Sequence, residues 1–103
     1  MRFEWDVRKE RRNLQKHGVG FDEASTVFAD TLSITIPDPD ASDDDERWVI
    51  MGFSHRHRLL VVVHAEDVVH AEDDEQQIVR IISARPADPG ERRDYEEGHP
   101  RKS

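Results

Sequence analysis

Arginine and histidine side chains on two β-branched segments of this sequence are suited to acid–base and anion-binding chemistry. One segment has Arg58 and His64 at its ends, and the next contains Arg80 and is followed by Arg85. Imidazole exchanges a proton near neutral pH, and guanidinium binds phosphate or carboxylate through paired hydrogen bonds. The two segments therefore offer one proton-transfer group and three anion-binding groups.

The spacing of these residues predicts which of them share a surface. Arg58 and His64 are an even number of positions apart, so in a strand both face the same side of the sheet and the same groove. Arg80 interrupts an apolar segment and must reach water, a phosphate or a carboxylate such as Glu91, because an unpaired buried cation is costly. The alternatives are that His64 only ends a strand, that Arg80 forms a structural ion pair, and that Arg85 is an ordinary surface residue.

Metal-dependent and cysteine-based chemistry finds little support in the sequence. The chain has no cysteine, which excludes disulfides, thiolate zinc sites and cysteine nucleophiles. The alternating imidazoles of His55 and His57 could chelate a transition metal, but the neighbouring Arg56 and Arg58 disfavour a cation. We therefore predict no metal and no other cofactor.

Periodicity and capping residues predict the elements that must position these groups in a single domain, residues 1–103. A first helix runs from the cap Asp6 to about Lys16 before Gly18, a second covers Asp22–Ala29, and a third starts at the cap Asp88. The predicted strands are 31–36, 47–53, 58–64 and 77–84. The predicted fold is α+β: a four-stranded antiparallel meander sheet with two N-terminal helices and one C-terminal helix on one face.

A tandem repeat complicates the third strand. The hexapeptide 62–67 (VVHAED) is followed at once by an identical copy, 68–73. Because six is an even number, either copy keeps the same inward and outward faces in a strand. We expect the first copy to form the strand and the second to bulge into a long hairpin loop. The alternative is a longer hairpin arm built from both copies.

The charge distribution is uneven. The stretches 38–46 and 66–75 hold 12 of the 23 acids and no Lys or Arg, leaving 11 acids against 15 Lys and Arg elsewhere, a net charge of +4. In the first predicted helix, Val7 and Leu14 are expected to face the core. The opposite face is basic, with Arg8, Lys9, Arg11, Arg12, Lys16 and His17.

The hydropathy pattern favours a cytoplasmic protein. No apolar run approaches the roughly 20 residues needed to cross a bilayer, and the N-terminus has no apolar segment of the signal-peptide type. We expect no contact with a membrane.

Several short motifs occur in an order typical of one protein family. They are FEWD (3–6) with Lys9 and Asn13, KHGV (16–19) with Phe21 and Glu23-Ala24, Glu46-Arg47, Gly52 with Ser54, RLLVVVH (58–64), RIISAR (80–85), and Glu91-Arg92 with Tyr95. Through residues 3–23 and 47–97 the chain resembles the BrnT family, the ribonuclease toxins of bacterial type II toxin–antitoxin systems, which have a RelE-like fold. The doubled hexapeptide and the acidic stretches depart from the family pattern.

The resemblance implies a metal-independent endoribonuclease of the mRNA interferase type that cleaves RNA and inhibits growth. It also implies a BrnA-type antitoxin that forms a hetero-oligomer with the toxin, and the complex would bind DNA through the antitoxin. The alternative is a toxin-like module that binds an antitoxin but has lost ribonuclease activity.

Metal-free RNA cleavage needs a base for the 2′-hydroxyl proton, cations for the developing charge, and an acid for the leaving oxygen. The expected catalytic residues are His64, Arg80, Arg85 and Tyr95. The expected RNA-binding residues are Lys9, Lys16, Arg58 and Arg92, and His17 is a further possible phosphate contact. Tyr95 fits a place at the edge of the core equally well, and Trp5 and Trp48 are assigned to core packing.

Overall fold

A five-stranded mixed sheet forms the centre of the molecule. The computed structural model describes residues 1–41, 46–71 and 74–98. The strands are β1 (Arg2–Glu4), β2 (Ile34–Pro37), β3 (Arg47–Phe53), β4 (Leu59–Ala71) and β5 (Asp74–Pro86), in the spatial order β1-β5-β4-β3-β2. The helices are α1 (Val7–His17), α2 (Phe21–Ser25) and α3 (Pro89–Glu97), with a 3₁₀ helix at Thr26–Ala29. Across the described ranges, no helix is long and apolar enough to span a membrane.

The predicted caps of α1 and α3 are confirmed. The Asp6 carboxylate accepts hydrogen bonds from the backbone N–H groups of Arg8 and Lys9 at 2.8 and 3.3 Å. Gly18 ends α1 in the left-handed region, with φ of 70°, a conformation that glycine adopts without strain. Asp88 and Glu91 form a reciprocal capping box at the start of α3.

The second predicted helix, Asp22–Ala29, is only partly correct. The α-helix stops at Ser25, and the chain tightens into 3₁₀ geometry over the next four residues. The hydroxyl groups of Ser25 and Thr26 donate to the backbone carbonyls of Asp22 and Glu23 at 2.6 Å each. Such side-chain bonds compete with the α-helical pattern and favour a short, tight helix.

The prediction of a purely antiparallel four-stranded sheet is wrong in one respect. Strands β2 to β5 form the predicted meander, but β1 adds a fifth strand that runs parallel to β5 and pairs with Ile78–Arg80. A three-residue strand is too short to show an alternating pattern, which is why the sequence did not reveal it. Phe3 of β1 packs on Phe28 with ring centroids 5.2 Å apart, and this contact buries its inner side.

The helices lie on both faces of the sheet, not on one face as predicted. One face carries Leu60 and Val62, which pack against Phe21 of α2 in the buried core. Helix α3 lies on the opposite face, called the open face below, where Tyr95 contacts Phe53. Within α1, the buried residue is Asn13, whereas Val7 and Leu14, expected in the core, are 58% and 52% exposed.

Both copies of the hexapeptide belong to β4. The second copy pairs with β5 from Val68↔Gln77 to Ala71↔Asp74, so the interpretation as a loop is wrong and the alternative of a longer arm is correct. Glu72 and Asp73 lie outside the described residues, as do Asp43, Asp44 and Asp45 of the other acidic stretch. The residues before the repeat set its register, because a six-residue slip would place Glu66 at the fully buried position of Leu60.

Equivalent valines in the two copies provide a matched test of this arrangement. Val62→Ala removes two methyl groups from a fully buried position, and we expect the free energy of unfolding to fall by about 2 kcal/mol. Val68→Ala changes a side chain that is 47% exposed, and the expected change is within about 0.5 kcal/mol. Chemical denaturation measures both values, and equal losses would contradict the assignment of the first copy to the core.

Candidate functional site

His64 lies on the face of the sheet that the N-terminal helices cover. Its side chain is fully buried and packs edge-on against Phe28, with ring centroids 4.8 Å apart. Nε2 lies 3.1 Å from a carboxylate oxygen of Glu66, and Nδ1 has no hydrogen-bond partner among the described residues. Burial lowers the pKa of His64 below its usual value, and the contact with Glu66 opposes this effect only in part. In this position the ring cannot reach a substrate on the open face.

Arg80 projects from the opposite side of the sheet. It pairs in register with Ala65, whereas His64 pairs with Ile81, so the two side chains point to opposite faces. The cavity beside Arg80, about 480 Å³, is also lined by Glu4, Glu46 and Asp67. His64 and Arg80, both expected to be catalytic, therefore do not share a pocket.

A β-bulge is the physical reason for this separation. The register shifts between Val63 and His64, and Ile82 is the extra residue on β5. With a regular ladder, Ile82 would oppose His64, and Arg80 would share the helix-covered face with both. The bulge turns Arg80 outward, where its charge meets solvent and carboxylates at lower cost.

Arg58 is held at the opposite end of β4 in a hydrogen-bonded clamp. Its guanidinium binds both carboxylate oxygens of Glu23 and donates to the Gly18 carbonyl at 3.0 Å. Ser54 donates to Glu23 at 2.7 Å. The hydrogen bond from Arg58 holds the pKa of Glu23 below its usual value. Arg58 was expected to bind RNA beside His64, but the structure uses it to join α2, the end of α1 and the β3–β4 turn.

Arg85 forms a two-pronged ion pair on the open face. Nη1 and Nη2 donate to the two carboxylate oxygens of Glu91 at 2.6 and 2.7 Å, and this lowers the pKa of Glu91. The Arg85 side chain remains 42% exposed. It borders a groove of about 300 Å³ that Ser83 and Asp38 also line. Arg85 is thus available at the surface, in surroundings that contain acidic groups.

Tyr95 and Arg92 of α3 pack around Phe53. The Tyr95 hydroxyl donates to Asp30 at 2.9 Å, and burial together with this carboxylate raises the pKa of Tyr95 to about 12. The Arg92 guanidinium lies 5.9 Å from the centre of the Phe53 ring. The geometry matches the alternative interpretation of Tyr95 as a residue at the edge of the core.

The structure does bring Lys9 and Lys16 together, in a groove between α1 and β5. The groove has a volume of about 320 Å³, and its lining residues are Lys9, Arg12, Asn13, Lys16, His17, Ile82 and Ser83. We call it the basic groove. Ser83 also lies in the groove beside Arg85, so the two concave surfaces adjoin. Sequence reasoning missed the contributions of Arg12 and Ser83, although the spacing of Lys9, Arg12 and Lys16 places all three on one flank of a helix.

Asn13 fixes α1 against β5 and so creates this groove. Its Nδ2 donates to the backbone carbonyls of Val19 and Ala84 at 2.9 and 2.7 Å, and its Oδ1 accepts from the Ala84 N–H at 3.1 Å. The amide thus pairs with Ala84 as a neighbouring strand would, at a part of β5 that β1 does not cover.

His55 and His57 carry the alternating imidazoles that could chelate a transition metal. Over residues 1–41, 46–71 and 74–98, no group of three or more His, Asp or Glu side chains is positioned to hold a metal ion. The ring of His55 instead contacts the Thr26 hydroxyl at 3.2 Å.

Comparison with known proteins identifies the family. Residues 5–91 match the family described as "Ribonuclease toxin, BrnT, of type II toxin-antitoxin system". The chain belongs to the BrnT family. The crystal structure of the Brucella abortus ribonuclease toxin BrnT is similar in fold, with a TM-score of 0.59 and 22% sequence identity over 85% of this chain and 97% of that one. No curated protein sequence matches the chain.

The sheet, its helices and the basic groove can now be described as parts of a BrnT family member. The match begins at Trp5 and ends at Glu91, and it therefore includes α1, the Arg58 clamp and the ion pair of Arg85. The doubled hexapeptide lies within the matched region.

Replacement of Asn13 by Asp tests whether this amide holds α1 in place. The change is isosteric, but it substitutes a carboxylate oxygen for the Nδ2 donor and sets it against two carbonyl oxygens. We expect the free energy of unfolding to fall by about 3 kcal/mol, because two buried hydrogen bonds are lost. Gln15→Glu makes the same chemical change on the exposed side of α1 and serves as the control in denaturation experiments. Equal stability of the two variants would contradict the role of Asn13.

The buried imidazole of His64 predicts a pH-dependent stability. The folded state lowers the pKa of His64, so the unfolded chain binds the proton more readily. The contribution of neutral His64 to stability is therefore complete above pH 6.5 and decreases as the pH falls below that value. Urea denaturation at several pH values should show a smaller loss between pH 7 and 5 for His64→Gln than for the wild type. His70→Gln, at the equivalent exposed position of the second copy, should retain the wild-type loss, and a retained loss in His64→Gln would disprove the assignment.

Proposed function

We propose that the chain is a metal-independent endoribonuclease that cleaves RNA bound along the basic groove. The observation that supports this most directly is the convergence of Lys9, Arg12, Lys16 and His17 on one concave surface beside Ser83. Clustered cations neutralise backbone phosphates, and this provides most of the affinity of proteins for single-stranded RNA. Membership of a family of ribonuclease toxins makes RNA the expected ligand of this surface.

The residues of the groove supply the functions that metal-free cleavage requires. Attack of the 2′-hydroxyl on the adjacent phosphate needs a proton acceptor, charge stabilisation at the non-bridging oxygens and a proton donor for the leaving 5′-oxygen. Lys9, Arg12 and Lys16 provide positive charge, and His17 places an imidazole beside them. Arg85 lies in the adjoining groove, on the other side of Ser83. Its guanidinium can bind the next phosphate of the strand while it remains paired with Glu91. The proposal assigns acceptance of the 2′-hydroxyl proton to His17 and not to His64, which is fully buried. As the P–O5′ bond breaks, a lysine ammonium of the groove donates a proton to the leaving 5′-oxygen.

We further propose that a BrnA-type antitoxin neutralises the toxin in the cytoplasm and contacts DNA for the complex. The family is defined by type II toxin–antitoxin systems, in which the toxin has a protein partner. Cleavage of cellular mRNA by the free toxin would then inhibit growth.

The second candidate function is a non-catalytic module that binds an antitoxin. It is favoured by the burial of His64 and by the carboxylates around Arg80 and Arg85, which oppose RNA binding at those two positions. It predicts a stable toxin–antitoxin complex without ribonuclease activity.

Incubation of the purified chain with single-stranded RNA in EDTA separates the two candidates. The proposal predicts cleavage by the wild type and a drop of at least about tenfold in kcat/KM for the Lys9→Gln/Lys16→Gln double variant. The slope of log Kd against the logarithm of the salt concentration should also be smaller for the double variant, by about one unit for each lysine removed. His17→Asn should lower kcat more than it raises KM.

Arg93→Gln is the control for these measurements, because Arg93 is an exposed cation on α3 outside the groove. It should cleave RNA at the wild-type rate. Absence of cleavage by the wild type would overturn the proposed catalytic function, and equal activity of the double variant would overturn the assignment of the groove.

A further inference from the structure

A second cavity lies on the opposite flank of α1, against α2 and the β3–β4 turn. Its volume is about 460 Å³, within the range of pockets that hold small organic ligands. The residues that line it include Trp5, Glu10, Arg11, Leu14, His55 and Arg56. None of these residues belongs to the basic groove. We call this space the Trp5 cavity.

The apolar part of this cavity is unusually exposed. Leu14 is 52% exposed although the helix pattern predicted it in the core, and Trp5 is only half-buried. The Trp5 ring packs edge-on against Phe21, with centroids 6.3 Å apart and planes at 83°. The contact with Phe21 fixes the Trp5 ring, and Leu14 lies beside it in the same cavity. Together Trp5 and Leu14 provide a surface on which a flat ring can stack.

The polar groups around this surface match the chemistry of a nucleotide. Arg11 and Arg56 are exposed cations that can reach a phosphate. Glu10 is held in place because its Oε2 accepts from the Phe21 N–H at 2.9 Å. A carboxylate in this position accepts hydrogen bonds from the amino and imino groups of a nucleobase. Two further acids line the cavity: Glu23 is neutralised by Arg58, whereas Asp22 is exposed.

Helix α1 connects this cavity with the basic groove. Lys9, Arg12 and Lys16 lie on one flank, Arg11 and Leu14 lie on the other, and Arg8 is exposed between them. A helix with its side chains is about 10–12 Å wide, so a single strand of a few nucleotides can cross it. Exposed cations therefore extend across the helix from one flank to the other.

We propose that the Trp5 cavity binds a nucleobase of the RNA strand whose scissile phosphate lies in the basic groove. The inference rests on the proposed function, because it assigns a second contact to the same substrate. The base stacks on Trp5 and Leu14, the carboxylate of Glu10 accepts from its Watson–Crick edge, and Arg11 and Arg56 bind the flanking phosphates. The cavity therefore selects single-stranded RNA, since a paired base cannot enter it.

Tryptophan fluorescence can detect this contact. In a Trp48→Phe background, Trp5 is the sole tryptophan of the chain. The probe is a 2′-O-methyl RNA hexanucleotide of mixed sequence, which cannot be cleaved because its 2′-oxygen is blocked. We expect saturable quenching of Trp5, and unchanged fluorescence at concentrations that saturate binding would overturn the proposal.

Two matched leucines allow an independent test without the Trp48 substitution. Leu14 and Leu32 are both 52% exposed, but only Leu14 lines the cavity. Leu14→Gln should weaken binding of the labelled hexanucleotide about tenfold by fluorescence anisotropy, consistent with the loss of a buried apolar contact. Leu32→Gln should bind as the wild type does, and equal affinities of the two variants would overturn the proposal.

The same comparison applies to the cations, with Arg56→Gln expected to weaken binding and Arg93→Gln expected to have no effect. If a co-purified antitoxin changes the Trp5 fluorescence and the oligonucleotide does not, the cavity is a protein contact. That result would overturn the proposal. These binding assays do not require catalysis. Failure of RNA cleavage with intact quenching would thus reject only the proposed function, and cleavage without quenching would reject only the nucleobase site.

Discussion

The side-chain amide of Asn13 is the contact on which both candidate sites depend. The backbone of β5 at Ala84 lies beyond the short strand β1, and its N–H and carbonyl need partners that the sheet does not supply. Asn13 satisfies both and also binds the Val19 carbonyl, so three buried hydrogen bonds join α1 to the sheet and to the segment that leads into α2. An apolar residue could fill the same space but would leave these polar groups unpaired. The position of α1 in turn defines a groove on each of its flanks.

The β-bulge opposite His64 determines which cations reach the surface. A regular ladder would place Arg80 on the helix-covered face, where burial of a guanidinium is strongly unfavourable. The extra residue, Ile82, moves Arg80 to the open face and leaves Ile81 and Ala84 in the core. His64 remains inside and packs on Phe28. The bulge therefore keeps a charge out of the core, and at the same time it separates His64 from Arg80, two of the residues expected to be catalytic.

The charged residues of this molecule are distributed unevenly among its elements, so the net charge of the chain does not describe any one of them. The chain has a net charge of −8, yet α1 carries five Lys or Arg residues and one acid. The arginines nearest the core are neutralised, Arg58 by Glu23 and Arg85 by Glu91, whereas the cations of α1 line open grooves. Ion pairs near the core orient the elements, and cations that line a groove can bind phosphate. The positive charge that our proposal requires for RNA binding therefore belongs to the helix more than to the sheet.

Local signals in the sequence determined the elements and several of their ends. Asp6, Gly18 and the capping box of Asp88 act within a few residues, so α1 and α3 could be predicted, and the bounds of β3 follow from its own composition. The cationic face of α1 and the family motifs were also visible without coordinates.

The tertiary structure decided the features that depend on partners distant in sequence. Strand β1, the inward turn of Asn13, the bulge at Ile82 and the exposure of Leu14 all depend on which segments pack together. The register of the repeated hexapeptide depends on Leu60, which precedes it and needs the core. A period of two residues specifies faces only while the ladder is regular, and one inserted residue reverses them. For that reason the sequence could supply the candidate residues, while the three-dimensional packing determined which of them lie together.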